Sequence, residues 1–218
     1  MNALQTKRIS VVTGHYGSGK TNFSVNLALW LARQGKRVCV VDLDTVNPYF
    51  RTADYEQLFA SQGVELIVPE FANTNLDLPV LSSRIGAVLQ DESVDVVVDA
   101  GGDDAGAAVL GCYAQQILSQ PHEVYYLYNS YRYHTEHPDE AAEILRAIEA
   151  ASRLKVTKII NNSNLGGQTQ PRDLIDSVEP AQKLAALTGV PLAASLAKAS
   201  LAKEVPQAYP IEVFVKII

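Results

Sequence analysis

Residues 14–21 read Gly-His-Tyr-Gly-Ser-Gly-Lys-Thr, a complete G-x-x-x-x-G-K-[ST] loop. It follows a short apolar run, Ile9-Ser10-Val11-Val12, and opens a helical stretch, Asn22 to Gln34. A loop of this kind needs a strand before it and a helix after it, so it dictates the first supersecondary unit of the chain. The glycines let the backbone curl until its N–H groups point inward at an anion, and the helix N-terminus adds its positive dipole end. The candidate nucleotide-binding set is therefore Gly14, His15, Tyr16, Gly17, Ser18, Gly19, Lys20, Thr21 and Asn22. Lys20 can reach β- and γ-phosphates, and the Thr21 hydroxyl can ligate Mg²⁺. A glycine-rich turn between strand and helix is the plainer reading, and the complete motif in its required context outweighs it.

The rest of the chain keeps the same rhythm. β-Branched runs at Arg37–Asp42, Val64–Val68, Val94–Asp99, Glu123–Tyr128, Val156–Ile160 and Val190–Leu196 read as strands. Helical patterns lie between them, near 22–34, 53–62, 77–90, 105–119, 138–153 and 171–188. Gly35, Gly63 and Gly189 stand just past helix ends, and Pro138 and Pro171 at helix starts. Near-continuous apolar strands imply that both sheet faces are covered. The expected fold is α/β, a three-layer doubly wound and mainly parallel sheet, in a single domain spanning 1–218. The apolar end, Pro210 to Ile218, reads either as a closing strand or as the seam of a contact with another chain.

Net charge is −6 and no Lys/Arg run exists, so nothing favours a nucleic-acid partner. No apolar run has spanning length, and the tail is not a basic amphipathic helix, so nothing favours a membrane partner either. Cys39 and Cys112 are far apart and fit no C-x-x-C pattern. A disulfide framework is not indicated, and a reducing cytoplasm is the expected location. Cys39, inside an apolar strand, reads as a small core residue.

The second strand runs into Asp42-Leu43-Asp44-Thr45-Val46-Asn47, two carboxylates at the strand edge where open α/β sheets bind ligands. One of them can orient an attacking water or hold Mg²⁺ through its waters; solvated loop acids are the bland alternative. The fourth strand ends Asp99-Ala100-Gly101-Gly102. An acid after an apolar strand suits Mg²⁺ binding through water. The same four residues fit D-x-x-G, where a glycine N–H can sense a γ-phosphate. Asp103 and Asp104, read as exposed, receive no role.

After the fifth strand come Asn129-Ser130-Tyr131-Arg132-Tyr133-His134. Tyr126 and Tyr128 share one strand face and Tyr125 takes the other, so packing explains part of this tyrosine cluster. Arg132 reads more readily as a loop arginine paired with a surface acid than as a catalytic one. His134 and His137 read as polar loop residues rather than metal ligands. The sixth strand leads to Asn161-Asn162-Ser163-Asn164. Guanine-specific P-loop proteins carry N-K-x-D here. Asn164 replaces the Asp, losing the strong two-donor match to guanine, which favours adenine; an Asn-rich turn is the alternative.

Taken together, these motifs resemble the MinD/ParA class of P-loop ATPases. That class includes the plasmid-partition and septum-placing ATPases, the nitrogenase iron protein and the nucleotide-binding domains of cobyrinic acid amidases. The resemblance covers most of the chain in motif order. It implies Mg-ATP binding, ATP hydrolysis and often a nucleotide-bridged homodimer. It further implies that Lys20 and Thr21 bind phosphate and Mg²⁺ and that Asp44 acts on the attacking water or the metal. Asp99 would hold the metal's water shell and Asn161 would read adenine. The dimerising members carry a signature lysine at the second loop position, where this chain has His15, followed by Tyr16. Histidine is neutral or only partly charged near pH 7, which makes it a poor substitute. Loops ending Gly-Ser-Gly-Lys-Thr also resemble nickel-enzyme maturation GTPases, but those carry N-K-x-D. Relatives that bind metal at a dimer seam use two cysteines per chain near Cys112; this chain has one, so Cys112 reads as a buried helix cysteine.

Three functional readings follow. The first is a Mg-ATP-binding, ATP-hydrolysing molecular switch or maturation or partner-regulating factor, with ATP and ADP as ligands and an unidentified client protein or small molecule as partner. The second is an ATP-dependent small-molecule synthetase or kinase, related to cobyrinic acid amidase or dethiobiotin synthetase domains. The third is a nucleotide-sensing module with negligible turnover.

Overall fold

The computed structural model describes residues 4, 6–44, 52–68, 82–102 and 104–214. Eight strands form one sheet: β1 (Ile9–Thr13), β2 (Val38–Leu43), β3 (Val64–Ile67), β4 (Asp95–Ala100), β5 (His122–Tyr128), β6 (Lys158–Asn161), β7 (Leu192–Lys198) and β8 (Ala208–Ile211). Their order is β3-β2-β4-β1-β5-β6-β7-β8 and every pairing is parallel. β1 lies between β4 and β5, so chain direction across the sheet switches beside it. In such sheets the carboxyl ends of strands around the switch form the ligand crevice.

The period-two alternation of each central strand divides two cores. Ile9, Val11, Cys39, Val41, Val96, Val98, Tyr126 and Tyr128 belong to one. Against them pack α3 (Ser83–Gln90), α4 (Asp104–Gly111), α5 (Ala114–Leu118), α6 (Pro138–Ser152) and α8 (Val178–Thr188). Val12, Val38, Val40, Val97, Tyr125 and Leu127 belong to the other, with α1 (Lys20–Arg33) and α2 (Glu56–Ser61). Burying a Val or Leu stabilises by roughly 1.5–3 kcal/mol, so two-sided burial of these strands, more than strand propensity, holds the sheet. The split of the tyrosines, with Tyr125 opposite Tyr126 and Tyr128, follows the sequence pattern.

Two stretches expected as single helices are each broken. The region 171–188 divides into α7 (Pro171–Asp176) and α8. At the break the Ser177 hydroxyl donates to the Leu174 carbonyl at 2.8 Å, a local bond that competes with the helix ladder. The region 105–119 divides into α4 and α5 at Cys112. Cys112 is exposed, not a buried helix cysteine. α4 turns Gly111 onto α6, where a Cβ would lie 2.7 Å from the Ala151 carbonyl, and Cys112 is left on the outer side. Cys39 is fully buried, and burial pushes its thiol up to about 12.

The C-terminal segment supplies β8 as a closing strand and then lies along α1 as far as Phe214; residues 215–218 are outside the described residues. Asn22 Nδ2 donates to the Glu212 carbonyl (3.0 Å), and Asn22 Oδ1 accepts from the Phe214 N–H (2.9 Å). Asn26 makes a reciprocal pair with the Glu212 backbone, at 2.8 and 2.9 Å. Among the described residues no helix is long and apolar enough to cross a membrane.

Candidate functional site

The loop at 14–21 follows β1 at the carboxyl edge of the sheet and runs straight into α1. Two glycines have no substitute. Gly14 (φ +142°) and Gly19 (φ +91°) take conformations that L side chains rarely adopt. A Cβ on Gly14 would strike the Leu127 carbonyl of β5, and one on Gly19 would strike the Asn162 amide. The loop closes on itself through Ser18 N–H to the His15 carbonyl at 3.2 Å. α1 begins with no side-chain cap and no acid in its first turn. Its first N–H groups and positive dipole end therefore face the loop with no capping side chain of their own.

Lys20 is only 6% exposed, and its Nζ donates to the His15 carbonyl at 3.4 Å, across the mouth of the loop. Gly102, three residues beyond Asp99, comes to the same place. A Cβ there would collide with the Gly14 carbonyl and lie 2.7 Å from Lys20 Nζ. The D-x-x-G segment and the phosphate loop thus meet at a contact that only glycine allows.

Three acids line the floor. Asp42 and Asp99 are register partners on β2 and β4. The Asp44 N–H donates to Asp42 Oδ1 at 3.1 Å. All three are buried. Asp99 accepts from the Ser24 hydroxyl at 3.1 Å on Oδ1 and is also hydrogen-bonded by Thr21. Its Oδ2 has no partner among the described residues. Burial, then the neighbouring Asp42 carboxylate, raise its pKa above the usual carboxylate range, against the pull of Lys20 and Thr21. Clustered buried carboxylates beside an orphaned oxygen suit a divalent cation. Among the described residues no three His, Cys, Asp or Glu side chains could hold an ion by themselves. Carboxylates and hydroxyls, not thiols or imidazoles, make up the donor set around Asp99, which is the oxygen chemistry that suits Mg²⁺.

Not every expected residue faces the loop. The Asn22 amide is taken up by the C-terminal segment. The Asn161 amide donates to the hydroxyls of Ser177 (3.0 Å) and Ser195 (3.2 Å) and accepts from the backbone (3.1 Å) and hydroxyl (2.7 Å) of Ser163. It therefore shapes the 161–164 turn from inside. Tyr16 is 55% exposed at the loop apex. His15 meets the His134 ring edge-on at 5.9 Å. Burial first, then Lys20 and His134, hold the His15 pKa below 6.5. Asn47 and Asp103 lie outside the described residues.

Sequence reasoning missed two residues. Asn162 Nδ2 donates to the Ser18 carbonyl at 2.8 Å in a buried contact, fastening the loop to the end of β6. Ser24, one turn after Thr21, holds Asp99. The second asparagine of Asn161-Asn162 and a hydroxyl three residues after Thr21 were the available signals.

Residues 9–206 match the family described as the CobQ/CobB/MinD/ParA nucleotide binding domain. No curated protein sequence matches the chain. Among solved structures it is similar to the Signal Recognition Particle 54 kDa protein of Aeropyrum pernix K1 in complex with GDP. That likeness has a TM-score of 0.59 and 21% identity, over 88% of this chain and 42% of that one. It is similar to the cell division protein FtsY of Thermotoga maritima, with a TM-score of 0.55 and 21% identity, over 84% of this chain and 59% of that one. It is also similar to a nucleotide-binding protein of Archaeoglobus fulgidus in complex with ADP. There the TM-score is 0.54 and the identity 16%, over 91% of this chain and 84% of that one. The first two matches leave roughly half of each relative uncovered, and all three speak to fold alone. Fold, loop geometry and the match over 9–206 agree: this chain belongs to the CobQ/CobB/MinD/ParA nucleotide-binding family.

Proposed function

We propose that the protein binds Mg-ATP at the 14–21 loop, hydrolyses it, and uses loss of the γ-phosphate as a conformational signal to a partner. The observation that carries this reading is the packing of Gly102 against the Gly14 carbonyl and Lys20. The loop after β4 lies too close to Lys20 to admit a methyl group, so a terminal phosphate taken up by Lys20 would push Gly102 aside, and its loss would let the loop return. Lys20 and the loop N–H groups bind the phosphates. Thr21, Asp99 and Asp44 are the residues that would hold Mg²⁺. When bound, Mg²⁺ neutralises charge developing on the phosphate oxygens. Asp44 orients the attacking water. The base lies against the 161–164 turn, which Asn161 holds from within. Exposed Tyr16 and Tyr133 beside the loop suit a second copy docking in the ATP state. Titration of the purified chain with a fluorescent ATP analogue, with and without Mg²⁺, tests the reading. Saturable Mg²⁺-dependent binding that Lys20→Ala abolishes is expected. Equal signals from wild type and Lys20→Ala overturn it. Phosphate release without any second substrate separates the switch from a synthetase, and light scattering with ADP and with an ATP analogue tests the dimer.

A further inference from the structure

We propose that Arg132 is a phosphate-directed cation that touches the terminal phosphate of a nucleotide held by its own chain's loop. The inference rests on the nucleotide reading above and adds a catalytic residue to it.

Arg132 sits in the turn after β5 and its backbone is tightly set. Its N–H donates to the Asn129 carbonyl (3.3 Å), and its carbonyl accepts from the Thr135 N–H (3.0 Å). The Thr135 hydroxyl, fully buried, closes the turn on the Asn129 carbonyl at 2.7 Å. Asn129 Oδ1 accepts from the N–H groups of Tyr131 (3.0 Å) and Asn164 (3.3 Å), and the Tyr131 hydroxyl donates to the Asp173 carbonyl (2.8 Å). The turn is therefore pinned to the turn after β6 and to α7, and Arg132 issues from a fixed point.

From there the side chain lies across the phosphate loop. A Cβ on Gly17 would be 3.4 Å from Arg132 Nε, 3.6 Å from Cδ and 3.7 Å from Cζ. These are ordinary van der Waals distances, so the guanidinium lies in contact range of the loop at Gly17, whose φ of +74° favours glycine. No carboxylate of the described residues pairs with Arg132; the nearby acid Glu136 lies by His137, at 3.8 Å. A surface arginine ordinarily finds an acid. This one instead rests against Gly17 of a loop that holds no acid and carries Lys20. The Arg132 guanidinium adds a second positive charge beside the loop that carries Lys20, which favours an anion there. A guanidinium matches phosphate oxygens bidentately and never loses its charge, whereas His15 of the same loop stays mostly neutral at pH 7. The charge that a γ-phosphate gathers during transfer is what such a donor stabilises, and one donor of this kind is worth about 10²–10³ in rate.

The test compares the full chain with Arg132→Ala and Arg132→Lys. Calorimetric titration with Mg-ADP and a non-hydrolysable Mg-ATP analogue is followed by phosphate release from ATP. The alanine variant is expected to keep ADP affinity within about 3-fold, to lose about 10-fold in affinity for the ATP analogue, and to release phosphate about 10²-fold more slowly. Lysine is expected to recover part of the analogue affinity and little of the rate, because it lacks the fork. Arg132 is exposed, so an unchanged melting temperature is expected in both variants. An alanine variant that matches wild type in ATP-to-ADP preference and in phosphate release overturns the assignment of Arg132 and leaves the nucleotide site standing. A wild-type chain that binds neither nucleotide overturns the nucleotide reading and this inference together.

Discussion

Replacing Asn162 with alanine isolates one strut of the phosphate loop. The substitution removes the 2.8 Å bond from Asn162 Nδ2 to the Ser18 carbonyl. The Asn162 N–H bond to the Tyr128 carbonyl (2.8 Å) and the Asn164 amide bond to the Asn162 carbonyl (2.7 Å) use backbone atoms and survive. The loss is therefore a single buried hydrogen bond with its carbonyl acceptor left unsatisfied, about 1–3 kcal/mol. For a domain of this size that corresponds to a fall in Tm of about 2–12 °C, at 2–4 °C per kcal/mol. The loop must also be re-formed by the nucleotide, so Mg-ATP should bind about 10-fold more weakly, each factor of ten being about 1.4 kcal/mol. Thermal unfolding by circular dichroism and titration with a fluorescent ATP analogue read the two effects. Asn162→Asp sharpens the test, since a carboxylate in place of the amide donor would face the Ser18 carbonyl oxygen and should be worse than alanine. Unchanged Tm and affinity in the alanine variant, or an aspartate variant more stable than alanine, would refute the strut.

Gly102→Ala should weaken nucleotide binding by at least about 10-fold and cost about 1–3 kcal/mol in stability, because the obstacle is the Gly14 carbonyl, backbone that cannot turn aside. In the same urea titration Gly86→Ala, which meets nothing within 4 Å inside α3, should stabilise by about 0.5–1 kcal/mol. His15 should titrate by NMR with a midpoint below 6.5, and Lys20→Ala should move that midpoint up. Because its folded pKa is depressed, the stability it contributes is present above pH 6.5 and is lost as pH falls through the folded value; a midpoint at or above 6.5 contradicts the packing described. Tyr126→Phe removes a bond to the Ala141 carbonyl (3.3 Å) and should cost about 0.5–1.5 kcal/mol. Tyr128→Phe removes a buried hydroxyl with no partner among the described residues and should be neutral or stabilising; equal losses in the two variants would count against both assignments.

The central strands were legible because each is short and buried on both faces. Their ends shifted where the first residues serve other bonds. Pro191, which cannot donate to a ladder, delays β7 to Leu192. The phosphate loop and the three acids were legible because their chemistry needs fixed residue types at fixed spacing. What bears on them from elsewhere was not. The Asn162 clamp joins residues far apart in the chain, and the contact of Arg132 with Gly17 depends on how a six-residue turn folds back. Nothing in the local pattern around Asn161 tells whether its amide points at a ligand or at Ser177 and Ser195; the tertiary position of α8 and β7 decides it.

The central place of β1 has a consequence for how the protein is made. Ile9 is in register with Val96 on one side and His122 on the other. The walls of the phosphate loop are Leu127, Gly102 and Asn162, all made long after the loop itself. During synthesis the loop therefore leaves the ribosome as a bare glycine-rich stretch, and its anion site cannot assemble until β6 has emerged. Parallel pairing of this kind closes long loops before it gains contacts, so folding is late and comparatively slow. β2 lacks a neighbour until Ala100 is made and β1 until Tyr128 is made, so a nascent chain that stalls before then exposes apolar strand edges and is an aggregation hazard.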